Sequence, residues 1–300
     1  MAEPLPFVAE PPGDLATTQA AADAAAAEWG LPAPQHLRTG MNALFTCGEE
    51  IVLRVARTTA PVEDALWLMA RLAAEGVRVP RPAIEGAVHH GDLSVLAIER
   101  LHPHGAVDWA AVGAMVARVH RIAVDDVAAH YPLPFCGSFP HWRVEALREE
   151  IDDLLDAPAR AALDAALARC EGWRDRIAAA PQVFCHGDIH PGNVVQTDDG
   201  PVLLDWDLAC RGPATWDHAA VMTWTERWDG VPGLYEAFAA GFGRSLRGDP
   251  VGDLLAEMRL LVATMMRVRA GRTNLEAAEE ARRRLRYWLG DPDAPRWRPA

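Results

Sequence analysis

The chain has 300 residues, 50% of them apolar and 24% charged, the balance of a globular protein long enough to bury a full core. Its 42 acidic residues outnumber 29 basic ones, and the resulting net charge of −13 argues against a nucleic-acid partner. Five widely spaced cysteines without a C-x-x-C pair exclude a disulfide scaffold or cysteine zinc site, no apolar run reaches the ~20 residues of a membrane span, and no basic-then-apolar leader opens the chain, so a soluble cytoplasmic protein without a membrane partner is expected.

Residues 1–14 are rich in proline and are expected to be irregular. The Ala-rich run from Thr17 or Thr18, either a candidate N-cap, to Trp29 reads as a helix stopped by Gly30 and Pro32. His36 to Thr39, Ala43 to Thr46 and Ile51 to Ala56 read as strands, joined by Gly40-Met41-Asn42 and then by the turn Cys47-Gly48-Glu49-Glu50. Arg54 stands in the middle of the third, where a cation either faces solvent or has something to hold. Pro61 to Glu75 has the period of an amphipathic helix, with Val62, Leu66, Met69 and Ala73 on one face and Glu63 and Asp64 in its first turn. Ser94 to Leu101 is a further strand, running into Pro103 and Gly105.

Asp108 caps an expected helix from Trp109 to about Arg121 with Val112, Met115, Val116 and Val119 inward. After a loop over 131–140, His141 to Asp156 is expected as a helix carrying Glu145, Glu149, Glu150, Asp152, Asp153 and Asp156. Such a run is either a solvated face or an acidic wall for a polycationic ligand.

Cys185 to Asp207 reads C-H-G-D-I-H-P-G-N-V-V-Q-T-D-D-G-P-V-L-L-D-W-D. Val183 to Cys185, Val194 to Gln196 and Val202 to Leu204 are short strands, and Asp199-Gly200 is a hairpin-type turn. His186 to Asn193 is therefore a loop between strands, and Asp188, Asn193, Asp205 and Asp207 are expected at one end of a small sheet. Carboxylates and an amide carbonyl are the donors a hard cation such as Mg²⁺ takes. Farther on, Val221 to Asp229 interleaves Trp224 and Trp228 with Glu226 and Asp229, either helix core with surface acids or a wall for an ammonium group. Leu254 to Arg269 and Leu275 to Leu289 read as helices before a loose tail.

H-G-D-x-H-P-x-N followed by L-D-W-D resembles the aminoglycoside phosphotransferase and choline kinase family. The spacing of Asp, four residues and Asn, then Asp on the next hairpin arm, is also similar to the catalytic loop and metal-binding turn of protein kinases. The resemblance implies an α+β, two-lobed protein-kinase-like fold, with an N-lobe (1–101) of antiparallel sheet plus helix and a mainly helical C-lobe (102–300). It implies an enzyme, a small-molecule kinase that moves the γ-phosphoryl group of ATP to a hydroxyl with Mg²⁺ as cofactor.

Residue by residue, the resemblance makes Asp188 the catalytic base, Asn193 and Asp205 the Mg²⁺ ligands, and Asp207 an assistant to that metal site. Gly40 and Asn42 would lie over the phosphates, and Arg54 would take the place of the kinase lysine that grips them. Glu63 is the candidate partner of Arg54, with Asp64 its rival. Backbone groups from Glu99 to Leu101 would meet the adenine edge, and Asp217 would anchor the catalytic loop. Three departures disfavour a protein kinase proper: Gly187 for the loop Arg, Trp206-Asp207 for Phe-Gly, and no A-P-E segment. Arg54 departs as well, in a chain with no lysine to offer.

The resemblance is compatible with aminoglycosides or related cationic antibiotics, choline-like alcohols and neutral hydroxyl metabolites. Net charge and the two acidic segments lean toward a cationic acceptor, with Asp152, Asp153, Trp224, Glu226, Trp228 and Asp229 as its candidate contacts. The alternative of a nucleotide-binding module without turnover is disfavoured by the retention of Asp188, Asn193 and Asp205 together. Oligomeric state is left open.

Overall fold

The computed structural model describes residues 10–58, 60–228 and 230–298. Helix α1 (Leu15–Trp29) begins earlier than expected because Asp14 is its cap: the Asp14 carboxylate accepts from the Thr17 N–H at 2.8 Å. Thr17 and Thr18 lie inside the first turn, and the Thr18 hydroxyl donates back to the Asp14 carbonyl at 3.1 Å. The helix ends at Gly30, whose φ of 65° only glycine adopts at little cost. Ala21, Ala22, Ala25 and Ala26 form its buried stripe, small enough to let the helix lie close on a sheet.

That sheet comprises β1 (Gln35–Thr39), β2 (Ala43–Cys47), β3 (Ile51–Arg57), β4 (Val88–His90) and β5 (Leu93–Glu99). All its pairings are antiparallel, in the order β1-β2-β3-β5-β4. Side chains on a strand alternate in direction. Leu53 and Val55 pack with the α1 alanines, so Arg54, paired in register between Leu44 and Leu96, projects from the other face. Helix α2 (Val62–Ala74) buries Val62, Leu68 and Leu72, whereas the expected Leu66 and Met69 are only half-buried. Its inward face is turned because Leu68 and Leu72 join Val77 and Met115 in a core shared with the C-lobe.

The C-lobe is helical: α3 (Trp109–Val119), α4 (Val124–Ala128), α5 (Val144–Glu150), α6 (Ala157–Arg169), α7 (Trp173–Ala179), α8 (Thr215–Arg227), α9 (Leu234–Phe242), α10 (Pro250–Ala270) and α11 (Leu275–Trp288). The helix expected over 141–156 is broken, with 3₁₀ turns at Pro140–Trp142 and Asp152–Leu154 flanking α5. Four of its six acids are tied to arginines, and Asp156 instead caps α6. Asp152 meets Arg148 and Arg160, both at 2.8 Å, Asp153 meets Arg272 at 2.8 Å, and Glu145 meets Arg174 at 3.2 Å. The acidic run is thus a belt of ion pairs holding helices together.

Between these helices run four short strands in two separate pairs, not one small sheet. Strand β6 (Gln182–Cys185) pairs with β9 (Cys210–Pro213), and β7 (Val194–Thr197) with β8 (Gly200–Leu203). The loop from β6 to β7 rests on two cores. Val112, Val116 and Phe238 dominate one; Leu255, Met258 and Leu261 of α10 meet Trp142 and Trp216 in the other.

Candidate active site

The loop over 186–193 is fixed from below by Asp217 of α8, which is fully buried. Its carboxylate accepts from the His186 N–H at 3.0 Å and the Gly187 N–H at 2.8 Å, and lies 2.9 Å from His120 Nε2. Burial alone would raise this carboxyl, but the His120 ring and the loop N–H groups outweigh it and hold the group below the ordinary carboxylate range. His186 Nε2 lies 2.9 Å from the Leu204 carbonyl, which ties the loop to the end of β8.

Gly187 explains the missing arginine of the kinase pattern. Its φ is 94°, and a Cβ there would stand 1.9 Å from the Leu208 carbonyl oxygen. No side chain fits at that position.

Asp188 follows, half-buried. The Asn193 amide donates to the Asp188 carbonyl at 2.9 Å and reaches its carboxylate at 3.5 Å. From α10, Arg259 donates to the same carboxylate at 3.3 Å, to the Gly187 carbonyl at 2.7 Å and to the Trp216 carbonyl at 3.2 Å. Its guanidinium also lies 5.3 Å from the Trp216 ring. His190 Nε2 sits 3.4 Å away on the carboxylate's other oxygen. Burial pushes the Asp188 carboxyl up, yet His190, Arg259 and His186 together bring it well below its usual range, so it stands ionised.

Asp205 closes β8 in the left-handed region, with φ 59° and ψ 71°, the only non-glycine at positive φ among the described residues. Such backbone costs on the order of 1–3 kcal/mol and persists where the surroundings impose it. Its carboxylate sits against that of Asp207, and burial with this neighbour raises the Asp207 carboxyl to about 6 despite Arg54. Arg54, on the free face of β3, pairs with Asp207. Burial disfavours the guanidinium's charge, but Asp207 and Asp205 more than restore it.

The expected pairing of Arg54 with Glu63 is therefore replaced. Glu63 is exposed, Asp64 is half-buried, and neither pairs with Arg54 among the described residues, because the inward turn of α2 presents leucines instead.

The residues present fit a divalent cation. With Asn193 Nδ2 committed to Asp188, Oδ1 is left without a donor among the described residues. The two crowded carboxylates of Asp205 and Asp207 supply oxygen donors whose mutual repulsion a cation would relieve.

Between β1 and β2, exposed Gly40 and half-buried Asn42 make a tight turn, Gly40 N–H donating to the Asn42 carbonyl at 2.8 Å. A side chain added at Gly40 would meet nothing within 4 Å. At the end of β5, the Glu99 side chain accepts from the Arg81 N–H at 3.0 Å, so it braces the strand end from outside. The Leu101 N–H has no acceptor among the described residues.

In front of Asp188 opens a cavity of about 960 Å³. Phe139, Trp142, Trp216, Trp224, Trp228 and Met266 give it an apolar wall, and Arg259, Arg267 and Arg284 line it too. Trp224 and Trp228 thus stand where an acceptor contact was expected. Asp152, Asp153 and Glu226 do not line it: the first two belong to the ion-pair belt and Glu226 faces Arg247 at 3.5 Å. Asp229 lies outside the described residues. None of these arginines, Arg259 and Arg267 on α10 and Arg284 on α11, was among the expected site residues; the signal available was that Arg259 shares a face with Leu255 and Val262.

Several solved structures share this fold. A spectinomycin phosphotransferase bound to ADP and spectinomycin superposes with a TM-score of 0.63 at 15% identity, covering 88% of this chain and 90% of that one. An aminoglycoside 2′-phosphotransferase-IIIa in complex with GDP gives 0.63 at 12% identity, with 89% and 96% covered. A macrolide 2′-phosphotransferase from Brachybacterium faecium gives 0.51 at 19% identity, with 92% and 99% covered. No curated protein matches the sequence. The model of the phosphotransferase enzyme family matches residues 43–261, from β2 through the loop of Asp188 to Leu261 of α10, and the chain belongs to that family.

Proposed function

We propose that this protein transfers the γ-phosphoryl group of ATP to an alcohol of a small molecule. The observation that carries the reading is the position of Asp188: an ionised carboxylate at the wall of a large cavity, tied through Asn193 to the turn that holds Asp205. Asp188 orients the acceptor hydroxyl and takes its proton as the new O–P bond forms, the bond to the β,γ-bridging oxygen breaks and ADP leaves. Asn193 Oδ1, Asp205 and Asp207 would hold Mg²⁺, which supplies charge neutralisation on the phosphates.

Arg54 contributes a fixed cation on the cleft face of β3, the Gly40 to Asn42 turn covers the phosphates, and the Leu101 N–H with the Glu99 carbonyl takes the adenine edge. Glu63 has no part in this arrangement. Residues 1–101 and 102–300 act as the two lobes around the nucleotide. No helix among the described residues is long and apolar enough to cross a membrane, which suits work on a diffusible acceptor in the cytoplasm.

The test is a mass-spectrometric screen for one added phosphate across a library of hydroxyl compounds with Mg²⁺ and ATP, using Asp188→Ala as the blank. Product with the wild type and none with the variant supports the reading. Nucleotide binding without turnover on any acceptor sinks it.

A further inference from the structure

We infer that the acceptor is an apolar, ring-bearing alcohol that carries an acidic group about 12 Å from the phosphorylated hydroxyl, and not a polyamine. This rests on the phosphotransferase reading above and names the kind of alcohol the cavity takes.

The charges at the cavity wall carry the inference. Among the described residues Asp188 is its only acidic residue, against three arginines. Two of these are occupied. Arg259 is spent on Asp188, the Gly187 carbonyl and the Trp216 carbonyl. Arg284 is buried, donating to Glu280 at 3.0 Å and to the carbonyls of Ala263 and Arg298, each at 2.9 Å. Arg267 is different: it is half-buried on the cavity wall, and its side chain makes no hydrogen bond or ion pair among the described residues. A guanidinium without a partner beside an apolar wall is a bidentate site for a carboxylate or similar acid.

The aromatic faces offer an ammonium group no alternative. Arg284 already covers Trp228 at 4.4 Å, and Arg259 lies over Trp142 at 5.7 Å and Trp216 at 5.3 Å. Trp224 is stacked against both His190 and Trp228, at 5.4 and 5.1 Å between centroids. A polycation entering here would shed water beside fixed positive charge, an uncompensated cost. Flat apolar groups, by contrast, meet Phe139 and the 36% exposed Met266.

Helix geometry sets the length. Arg259 and Arg267 are eight residues apart on α10, about 12 Å at ~1.5 Å per residue. Arg259 touches Asp188, so this rise along the helix axis sets the scale of the spacing we infer between the acid and the hydroxyl.

The test compares three matched probes on the full chain by quenching of tryptophan fluorescence: 4′-(hydroxymethyl)biphenyl-4-carboxylic acid, its carboxamide and its aminomethyl analogue, with kanamycin as the polycation. The acid is expected to bind at least about tenfold tighter than the carboxamide, the value of one charge-assisted contact, and the amine and kanamycin weakest. Arg267→Gln should lower the acid's affinity to that of the carboxamide on the wild type. Arg267→Glu should reverse the order of acid and amine, with circular dichroism reporting that both variants fold. Equal or tighter binding of the amine or kanamycin, an acid preference that survives both variants, or no binding of any probe overturns the inference. Acid binding that depends on Arg267, with no ATP consumed on any alcohol, would defeat the phosphotransferase reading and leave this one standing. Phosphorylated kanamycin without acid binding would do the reverse.

Discussion

Arg54 and Asp207 stand 153 positions apart in sequence and meet as an ion pair that joins the N-lobe sheet to the turn after β8. Both side chains keep about a sixth of their exposure, at 17% and 16%. Arg54→Met leaves Asp207 crowded by Asp205 with no counter-charge. We expect a loss of roughly 2–3 kcal/mol in urea unfolding, below the ~3–5 kcal/mol of a fully buried pair. Adding Asp207→Asn should recover most of it, so the double variant is markedly more stable than the sum of the singles implies.

Arg259 reaches Asp188 and the carbonyl of Gly187 from a helix 71 residues downstream. Arg259→Ala should lower kcat about 10- to 100-fold, the worth of one or two charge-assisted hydrogen bonds, with the nucleotide KM unchanged. A rise in nucleotide KM with kcat intact would place the arginine on the donor instead.

Substituting Gly187 with alanine combines two penalties, positive φ and a carbonyl 1.9 Å from the new methyl. The conformation alone costs about 1–2 kcal/mol, and the clash must shift either the loop or Leu208. Gly187→Ala is expected to lose more than about 3 kcal/mol of stability and nearly all turnover, measured by thermal unfolding and initial rates.

Buried histidines set the acid limit of stability. Burial pushes His218 down to about 3, where its ring lies 3.2 Å from the Tyr235 hydroxyl, and pushes His141 down to about 4. The unfolded chain binds these protons at ~6.5 and the folded chain does not, so stability rises with pH across that window and is lost as pH falls below ~6.5. Each ring contributes a slope of up to about 1.36 kcal/mol per pH unit. His218→Gln should flatten the curve of unfolding free energy between pH 6 and 4 while lowering it at pH 7.5. An unchanged slope would mean that the ring is already charged in the fold.

The loop over 186–193 was legible because its residues are compressed into one stretch: Asn193 bonds Asp188 five positions back, and the Leu204 N–H bonds the Asn193 carbonyl across the following hairpin. The strand carrying Arg54 was legible for a similar reason, a cation being conspicuous within an apolar period. What stayed hidden depends on distant parts of the chain. Glu63 looked like the partner of Arg54 because the sequence cannot say which face α2 turns inward, and Leu68 and Leu72 decided that. The acids around Asp152 were left open between a solvated face and a binding wall, because three of the arginines they pair with, Arg160, Arg174 and Arg272, lie beyond the run that also holds Arg148. Strand β9, which was not among the expected strands, holds Gly212 and Pro213, yet it pairs with β6 in a two-stranded ribbon that tolerates both.

The guanidinium on the cleft face of β3 has one more consequence. A lysine there would offer an ε-amine to acylating reagents, and a guanidinium does not. In a chain with no lysine at all, an amine-directed acylating reagent finds no ε-amine in the cleft, and turnover should survive treatment with one.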